Sequence, residues 1–329
     1  MSNFTLLTSR EYLKDVTSEI RKAQKRVHSL TLIITQDSET KGLVKAIKKA
    51  AKRGIATNIV IDAFTYSELG GAFSPRKKQA TPSRATTNML LDFANVGAKT
   101  YVLNNGVKLN PFSGVTHIKW FVIDDIVYCF GGTNLYKKGI QSTDYMFKVR
   151  DKKLADTLVH EQEKIVACDK NKTEYAGLRI KFPFGDLLID SGKKNDSFIY
   201  KRACELAAQS KEVLFVSQYC PTGKLVNYLK NTPSKIYFNP PKIAADINGK
   251  LLIKSSMLRT NLKTIYKKDT YIHAKFIIFT LKDDTKIAIT GSHNFAYSGV
   301  KLGTKEVALE TADEKIVAQL ETFHKKYVA

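Results

Sequence analysis

His117-Ile118-Lys119-Trp120-Phe121-Val122-Ile123-Asp124, then Gly131-Gly132-Thr133-Asn134, occurs a second time. The second copy is His273-Ala274-Lys275-Phe276-Ile277-Ile278-Phe279-Thr280, then Gly291-Ser292-His293-Asn294. Each copy reads as a strand carrying His and Lys two residues apart, a return strand, and a turn of small residues ending in Asn. Side chains two apart on a strand share one face, so each His–Lys pair points together while Ile118 and Trp120 point into a core. The turn glycines permit close backbone approach, and each Asn places an amide beside the pair.

Brought face to face, the two copies set two imidazoles across one space, with two ammonium groups and two amides around it. That set suits a phosphodiester. Lysines and amides hold the non-bridging oxygens and stabilise transition-state charge. One neutral histidine attacks phosphorus, and one protonated histidine donates to the leaving oxygen. No metal or other cofactor is required. One acid follows each copy at comparable distance: Asp144 is ten residues after Asn134, and Glu306 twelve after Asn294. A carboxylate on a histidine's far nitrogen fixes its tautomer and orientation.

Outward from the motifs the chain alternates strand and helix. Thr8 and Glu11 have capping-box spacing before Leu13, Val16, Ile20 and Ala23, which recur at helical spacing. A β-rich run, Val27 to Ile34, precedes a helix from Gly42 to Arg53 stopped by Gly54, then a strand from Thr57 to Ile61. This is a βαβ unit. A helix near Thr87–Asn95 and a strand near Lys99–Leu103 follow. The second half repeats the logic: helix Phe198–Ala208, strand Val213–Ser217, helix Gly223–Leu229 and strand Lys235–Phe238. A last helix opens on Thr311 and Glu314 and buries Ile316, Val317, Leu320 and Phe323. The spacing predicts two α/β halves, 1–170 with the first motif and 171–329 with the second. The changeover falls near Asp169–Glu174 or Ser191–Asn195. Ser67–Ser83, with Arg76, Lys77 and Lys78, reads as a mobile basic loop, either plainly solvated or a lid that draws in anionic groups. Lys41, Lys45, Lys48, Lys49 and Lys52 form one helix face, either solvated or turned to a membrane surface.

Composition bounds the function. Of 329 residues, 43% are hydrophobic and 26% charged, which supports a packed core and excludes disorder as the main state. The net charge of +22 favours polyanions, either nucleic acid or an anionic membrane. The cysteines at 129, 168, 204 and 220 form no CxxC or Cys/His cluster. That argues against a zinc site or disulfide framework and points to a reducing, cytoplasmic setting. The N-terminal stretch has no signal-like apolar run. The densest apolar runs, Leu30–Ile34 and Phe276–Phe279, fall far short of the ~20 residues that span a bilayer, so any membrane action is from the surface.

The motif residues resemble the phospholipase D superfamily, whose signature is HxK(x)4D followed by GS/GGxN, usually twice per active site. The first copy fits in full, with Gly131 14 residues after His117. The second departs twice: Thr280 stands in place of Asp, and Gly291 lies 18 residues after His273. The extra residues read as a longer hairpin tip in which Asp283 or Asp284 partly replaces an acid that is mainly structural in the family. Three softer features are similar to bacterial cardiolipin synthases and related phosphatidyltransferases. They are the GGxN/GSxN order, the Thr143-Asp144 pair, and the stretches Ile189-Asp190-Ser191-Gly192 and Val216-Ser217-Gln218-Tyr219-Cys220-Pro221.

This resemblance implies an α/β fold of two similar phospholipase D-like α/β/α halves with mixed sheets, packed around one shared active site. It implies that His117 is the nucleophile forming a phosphohistidine and that His273 is acid, then base. Lys119, Lys275, Asn134 and Asn294 bind the phosphoryl group, and Asp144 and Glu306 orient the histidines. Gly132, Thr133, Ser292 and His293 border the substrate, although the residue-by-residue reading of His293 favours packing. His28, His160 and His324 read as packing or surface residues. The implied reaction is phosphatidyl transfer of cardiolipin synthase type, from phosphatidylglycerol to the hydroxyl of a second phosphatidylglycerol. The implied partner is anionic phospholipid at a membrane surface, with no obligate protein partner. A phospholipase or nuclease built on the same histidines, and a non-catalytic module binding membrane or nucleic acid, are the competing readings.

Overall fold

The computed structural model describes residues 3–70, 81–106, 113–245 and 247–329. The first half runs β1 (Thr5–Thr8), α1 (Ser9–Lys22), β2 (Arg26–Thr31), α2 (Lys41–Lys52), β3 (Ala56–Asp62), α3 (Phe64–Gly70), α4 (Thr81–Asn95) and β4 (Lys99–Leu103). It continues with β5 (Lys119–Ile123), β6 (Ile126–Cys129), α5 (Lys137–Gln141), β7 (Tyr145–Arg150) and α6 (Lys152–Asn171). The second half runs β8 (Leu178–Phe182), β9 (Gly185–Ile189), α7 (Phe198–Gln209), β10 (Ser210–Val216), α8 (Leu225–Asn231), β11 (Ser234–Tyr237) and α9 (Ile247–Thr260). It ends with β12 (Phe276–Leu281), β13 (Lys286–Gly291), α10 (Tyr297–Leu302), β14 (Val307–Thr311) and α11 (Glu314–Phe323).

Two seven-stranded mixed sheets result, ordered β1-β7-β6-β5-β2-β3-β4 and β11-β10-β12-β13-β14-β9-β8. In the first, β2, β3 and β4 are parallel, as the βαβ reading requires, and β5 to β7 form an antiparallel meander. The second places β12, β13 and β14 in the equivalent meander beside the parallel pair β10–β11.

Alternation along the motif strands sets the layers. Trp120 and Val122 of β5, and Phe276 and Ile278 of β12, face one shared core. Phe121 and Ile123 face an outer core built with α1, α2 and α4, and Ile277 and Phe279 face another built with α7, α8 and α9. The shared core also takes Leu154, Leu158 and Ile165 of α6 and Ile316, Leu320 and Phe323 of α11. α11 packs against β1 of the first sheet and β13 of the second, while α6 packs its buried face on β4, β5 and β6 of the first. The α/β architecture expected from the motif strands is the one observed.

Local chemistry explains most element ends and some departures. Glu11 accepts from the Thr8 backbone N–H at 2.9 Å and hydroxyl at 2.7 Å, the cap expected for α1. The last helix is capped otherwise: Asp313 accepts from Lys315 and Ile316 N–H, while Thr311 ends β14 with its hydroxyl on Phe184 O. An acid one residue before the helix outcompetes the Thr311–Glu314 box. At the two ends of the loop expected over Ser67–Ser83 the chain is helical, since α3 extends to Gly70 and α4 begins at Thr81. Arg76, Lys77 and Lys78 lie outside the described residues. The helix expected from Gly223 starts at Leu225. On α2, Leu43, Val44 and Ile47 are buried while Lys41, Lys45, Lys49 and Lys52 are exposed. Among the described residues no helix is long and apolar enough to cross a membrane, and the four cysteines are free.

The motif Asp also has its structural account. Asp124, in the turn after β5 with φ 51°, accepts from the backbone N–H groups of Gln24, Lys25 and Arg26 and so staples that turn to the α1–β2 connection. In the second copy β12 runs on through Thr280, which pairs with Glu212 and Lys286. Asp284 takes the left-handed turn position, φ 69°, and reaches the Lys211 ammonium at 2.6 Å. The replacement is partial: one exposed ion pair stands where Asp124 holds three backbone donors.

Candidate active site

The two motifs meet where the ends of β5 and β12 face each other, and the stitching is crosswise. His117 N–H donates to Lys305 O, and Lys305 N–H donates to Val115 O, so the approach to the first histidine pairs with the approach to Glu306. Thr143 N–H donates to Tyr271 O, and Thr143 O accepts from His273 and Ala274, so the approach to the second histidine pairs with the approach to Asp144. Each acid therefore serves the histidine of the other repeat. Glu306 Oε2 lies 2.9 Å from His117 Nδ1, and Asp144 Oδ2 lies 2.7 Å from His273 Nδ1.

The environments of the two rings differ. His117 Nδ1 faces two acceptors, Glu306 and the Ser292 carbonyl at 3.1 Å, so it carries the proton and Nε2 keeps its lone pair. His273 Nδ1 faces Asp144 and also Lys275 Nζ at 3.0 Å, one acceptor and one cation. Burial pushes the His117 pKa well below its ordinary value, and Lys119 and Lys275 push it further. Burial and then Lys275 lower His273, with Asp144 opposing. In both cases burial favours the neutral ring.

Lys119 and Lys275 are fully buried, an expensive place for an ammonium group unless it is paired. Lys119 Nζ donates to His117 O at 2.8 Å, and Lys275 Nζ donates to His273 O. Burial, then the charge of Lys275, brings Lys119 down to about 7. Burial brings Lys275 down to about 8 against the pull of Asp144 and Glu306. Burial alone would raise Asp144, yet the His273 hydrogen bond, the His273 and Lys275 charges and the Tyr145 N–H hold it below its ordinary value. Burial raises Glu306 despite opposing neighbours, His293 and Lys119 first among them.

The turns complete the site. Asn134 and Asn294 each carry a buried amide oxygen with no partner. Ser292 Oγ donates to Glu306 and accepts from Val307 N–H at 3.0 Å, so it fixes the acid. Thr133 Oγ1 donates to Tyr145 O at 3.2 Å and lies 3.2 Å from Ser9 Oγ. His293 Nδ1 accepts from Phe295 N–H at 2.8 Å, leaving Nε2 for any other contact, and burial lowers its pKa to about 4. A Cβ on Gly132 would lie 2.7 Å from Asp144 Oδ2 and 2.8 Å from His273 O, so only glycine lets the turn pass the acid–histidine pair.

The structure brings together the eight residues that the sequence reading singled out, and shows contacts behind them that the sequence reading misses. Tyr145 OH bonds Lys275 O and Thr290 Oγ1, tying β7 to the second motif, and Ser217 Oγ donates to Asn294 O at 2.9 Å. Tyr145 follows Asp144 directly and Ser217 opens the Ser-Gln-Tyr-Cys stretch, but only the packed halves show what each touches. His28 is buried in β2, His324 packs 4.7 Å from the Tyr237 ring, and His160 is exposed, so none of the three joins the site.

The family model described as "Cardiolipin synthase, PLD-like domain" matches residues 16–166 and 239–327, which contain both motifs and both acids. The crystal structure of phosphatidylserine synthase from Haemophilus influenzae Rd KW20 superposes with a TM-score of 0.73 at 16% identity, covering 99% of this chain and 86% of that one. Polyphosphate kinase from Porphyromonas gingivalis gives 0.59 at 10% identity, covering 98% of this chain and 49% of that one. These two likenesses are of fold. No curated protein matches the sequence. With the family model spanning both halves, the chain belongs to the cardiolipin synthase, phospholipase D-like domain family.

Proposed function

We propose that the protein is a phosphatidyltransferase that works through a phosphohistidine, with anionic phospholipid as donor. The observation that carries this reading is the pair of crosswise acid–histidine contacts set beside two buried lysines. His117 is the nucleophile because both neighbours of its Nδ1 are acceptors, which raises electron density at Nε2. Nε2 forms a bond to phosphorus as the bond to the leaving alcohol breaks, and that oxygen takes the proton of the His273 imidazolium. Substrate binding favours this imidazolium, because the anionic phosphoryl group offsets the Lys275 charge that otherwise disfavours it. The acceptor alcohol then gives its proton to His273 and attacks phosphorus, releasing His117.

Family membership supports the lipid donor, and phosphatidylglycerol as both donor and acceptor is the specific form proposed. Mass spectrometry of lipids after incubation with phosphatidylglycerol vesicles and EDTA tests it. Cardiolipin and glycerol are expected from the wild type and not from His117→Ala. Phosphatidic acid alone would replace transfer with hydrolysis. No lipid product, with cleavage of single-stranded DNA or RNA by wild type but not His117→Ala, would replace the lipid reading with a nuclease.

A further inference from the structure

Helix α9 is built against the usual rule for a surface helix. Its buried residues are Gly249, Ile253, Ser256 and Thr260, a narrow stripe of mostly small side chains. Ile247, Leu251 and Leu258 are 77%, 60% and 84% exposed. At ~100° per residue these three fall within about 40° of one another, on the side directly away from the buried stripe. The crest farthest from the protein is thus aliphatic, where solvent favours polar groups. Lys250 and Lys254 are exposed beside the crest and Arg259 is exposed on its other flank. From 247 to 268 the sequence contains six cations and no acid.

The helix is also placed with respect to the chemistry. It rides on the excursion that leaves the sheet after β11 and returns at His273. Asn239 closes the base of that excursion: its Nδ2 donates to Gln218 O and Ile272 O, and its Oδ1 accepts from Ile272 N–H. Thr260, at the end of the helix, lies 3.5 Å from Cys220 Sγ, three residues beyond the Ser217 that donates to Asn294 O. The crest therefore belongs to the rim on the histidine side of the second sheet.

We infer that the α9 crest is an interfacial anchor that seats this rim on an anionic lipid bilayer, with Ile247, Leu251 and Leu258 in the acyl boundary and the flanking cations on the head groups. The choice of lipid as occupant rests on the phosphatidyltransferase reading and on charge complementarity. Nucleic acid fits the crest less well, since phosphates call for cations at the point of contact and bases call for aromatic rings rather than leucines. Seated this way, the protein presents His117 and His273 to a phosphodiester whose acyl chains stay in the bilayer.

Flotation with vesicles of equal parts phosphatidylglycerol and phosphatidylcholine tests the anchor independently of turnover. The wild type and His117→Ala should float alike. Leu251→Glu/Leu258→Glu should lose at least about tenfold in vesicle affinity, with unchanged thermal melting and unchanged turnover of a water-soluble phosphodiester. Leu258→Trp should gain a blue shift on adding vesicles that the wild type, whose Trp120 is already buried, does not show. Equal flotation of the double variant would overturn the anchor while leaving the catalytic reading intact. A wild-type dimer dissociated by the double variant, with flotation unaltered, would assign the crest to a second copy of the chain. Loss of single-stranded DNA binding in the double variant, with no vesicle binding by the wild type, would assign it to nucleic acid. Flotation that depends on the crest without any lipid product would uphold the anchor and sink the phosphatidyltransferase.

Discussion

His117 and His273 each depend on an acid fixed by its own surroundings: Ser292 and the Val307 strand hold Glu306, and the Tyr145 N–H holds Asp144. Replacing the acid by its amide keeps the shape and loses the charge that sets the tautomer. Glu306→Gln and Asp144→Asn are therefore expected to lower kcat by about 10²- to 10⁴-fold with little change in thermal stability. Steady-state kinetics beside a melting curve would check this, and an acid-independent kcat would remove both from the mechanism. The lysines give a pH signature. Lys119 and Lys275 are lowered to about 7 and about 8, so in the free protein each loses its ammonium charge as pH rises through those values. An anion that needs those charges then binds only with proton uptake. Sulfate, whose own charge is constant over this range, should bind progressively more weakly as pH rises through both values, by calorimetry; a flat profile would mean the lysines stay charged. At this scale the sequence was highly legible, because both motifs carry their chemistry in side chains two residues apart. The pairing of acid to histidine was not legible, since spacing along the chain says nothing about which repeat each acid faces.

The elements show why one departure from the motif is tolerated. Asp124 holds three backbone donors of the α1–β2 connection, whereas the second copy extends its hairpin and uses Asp284 on Lys211. Asp124→Ala leaves those donors to water and should cost about 1–2 kcal/mol. Thr280→Asp should give no gain, because residue 280 is in-strand opposite Glu212 and Lys286 rather than in a turn. Urea titrations of both variants would test the pair, and stabilisation by Thr280→Asp would show that the longer hairpin does not substitute for the acid. Strands and amphipathic helices with a clear period were readable. The cap of α11 was misread because Thr311-Ala312-Asp313-Glu314 offers two caps, and the sheet claims Thr311 as the end of β14. The crest of α9 escaped pattern reading because its apolar residues mark the outside of the helix.

The whole molecule is held by what the halves share. One core takes side chains from both sheets and from the buried faces of α6 and α11. Gln319 of α11 accepts from Leu6 N–H of β1 and donates to Phe4 O, so the last helix clasps the first strand. Residues 1–172 and 173–329 made as separate chains should therefore co-purify when expressed together and recover activity. Each alone should expose the shared core and aggregate or self-associate. A soluble, monomeric half would show that the common core is dispensable. The duplication itself was plain in the sequence. The contact of α11 with both sheets was not, because the helix's own period marks which face is buried and not which sheet that face meets. The crosswise wiring has a consequence for descent. A gene encoding a single half would hold one histidine and one acid that cannot reach each other. Its product could complete a site only by meeting an identical copy across a twofold axis, each lending its acid to the other. In one chain the two repeats need not match, and Thr280 with its longer hairpin differs from Asp124 and its turn while both acid–histidine pairs stay in place.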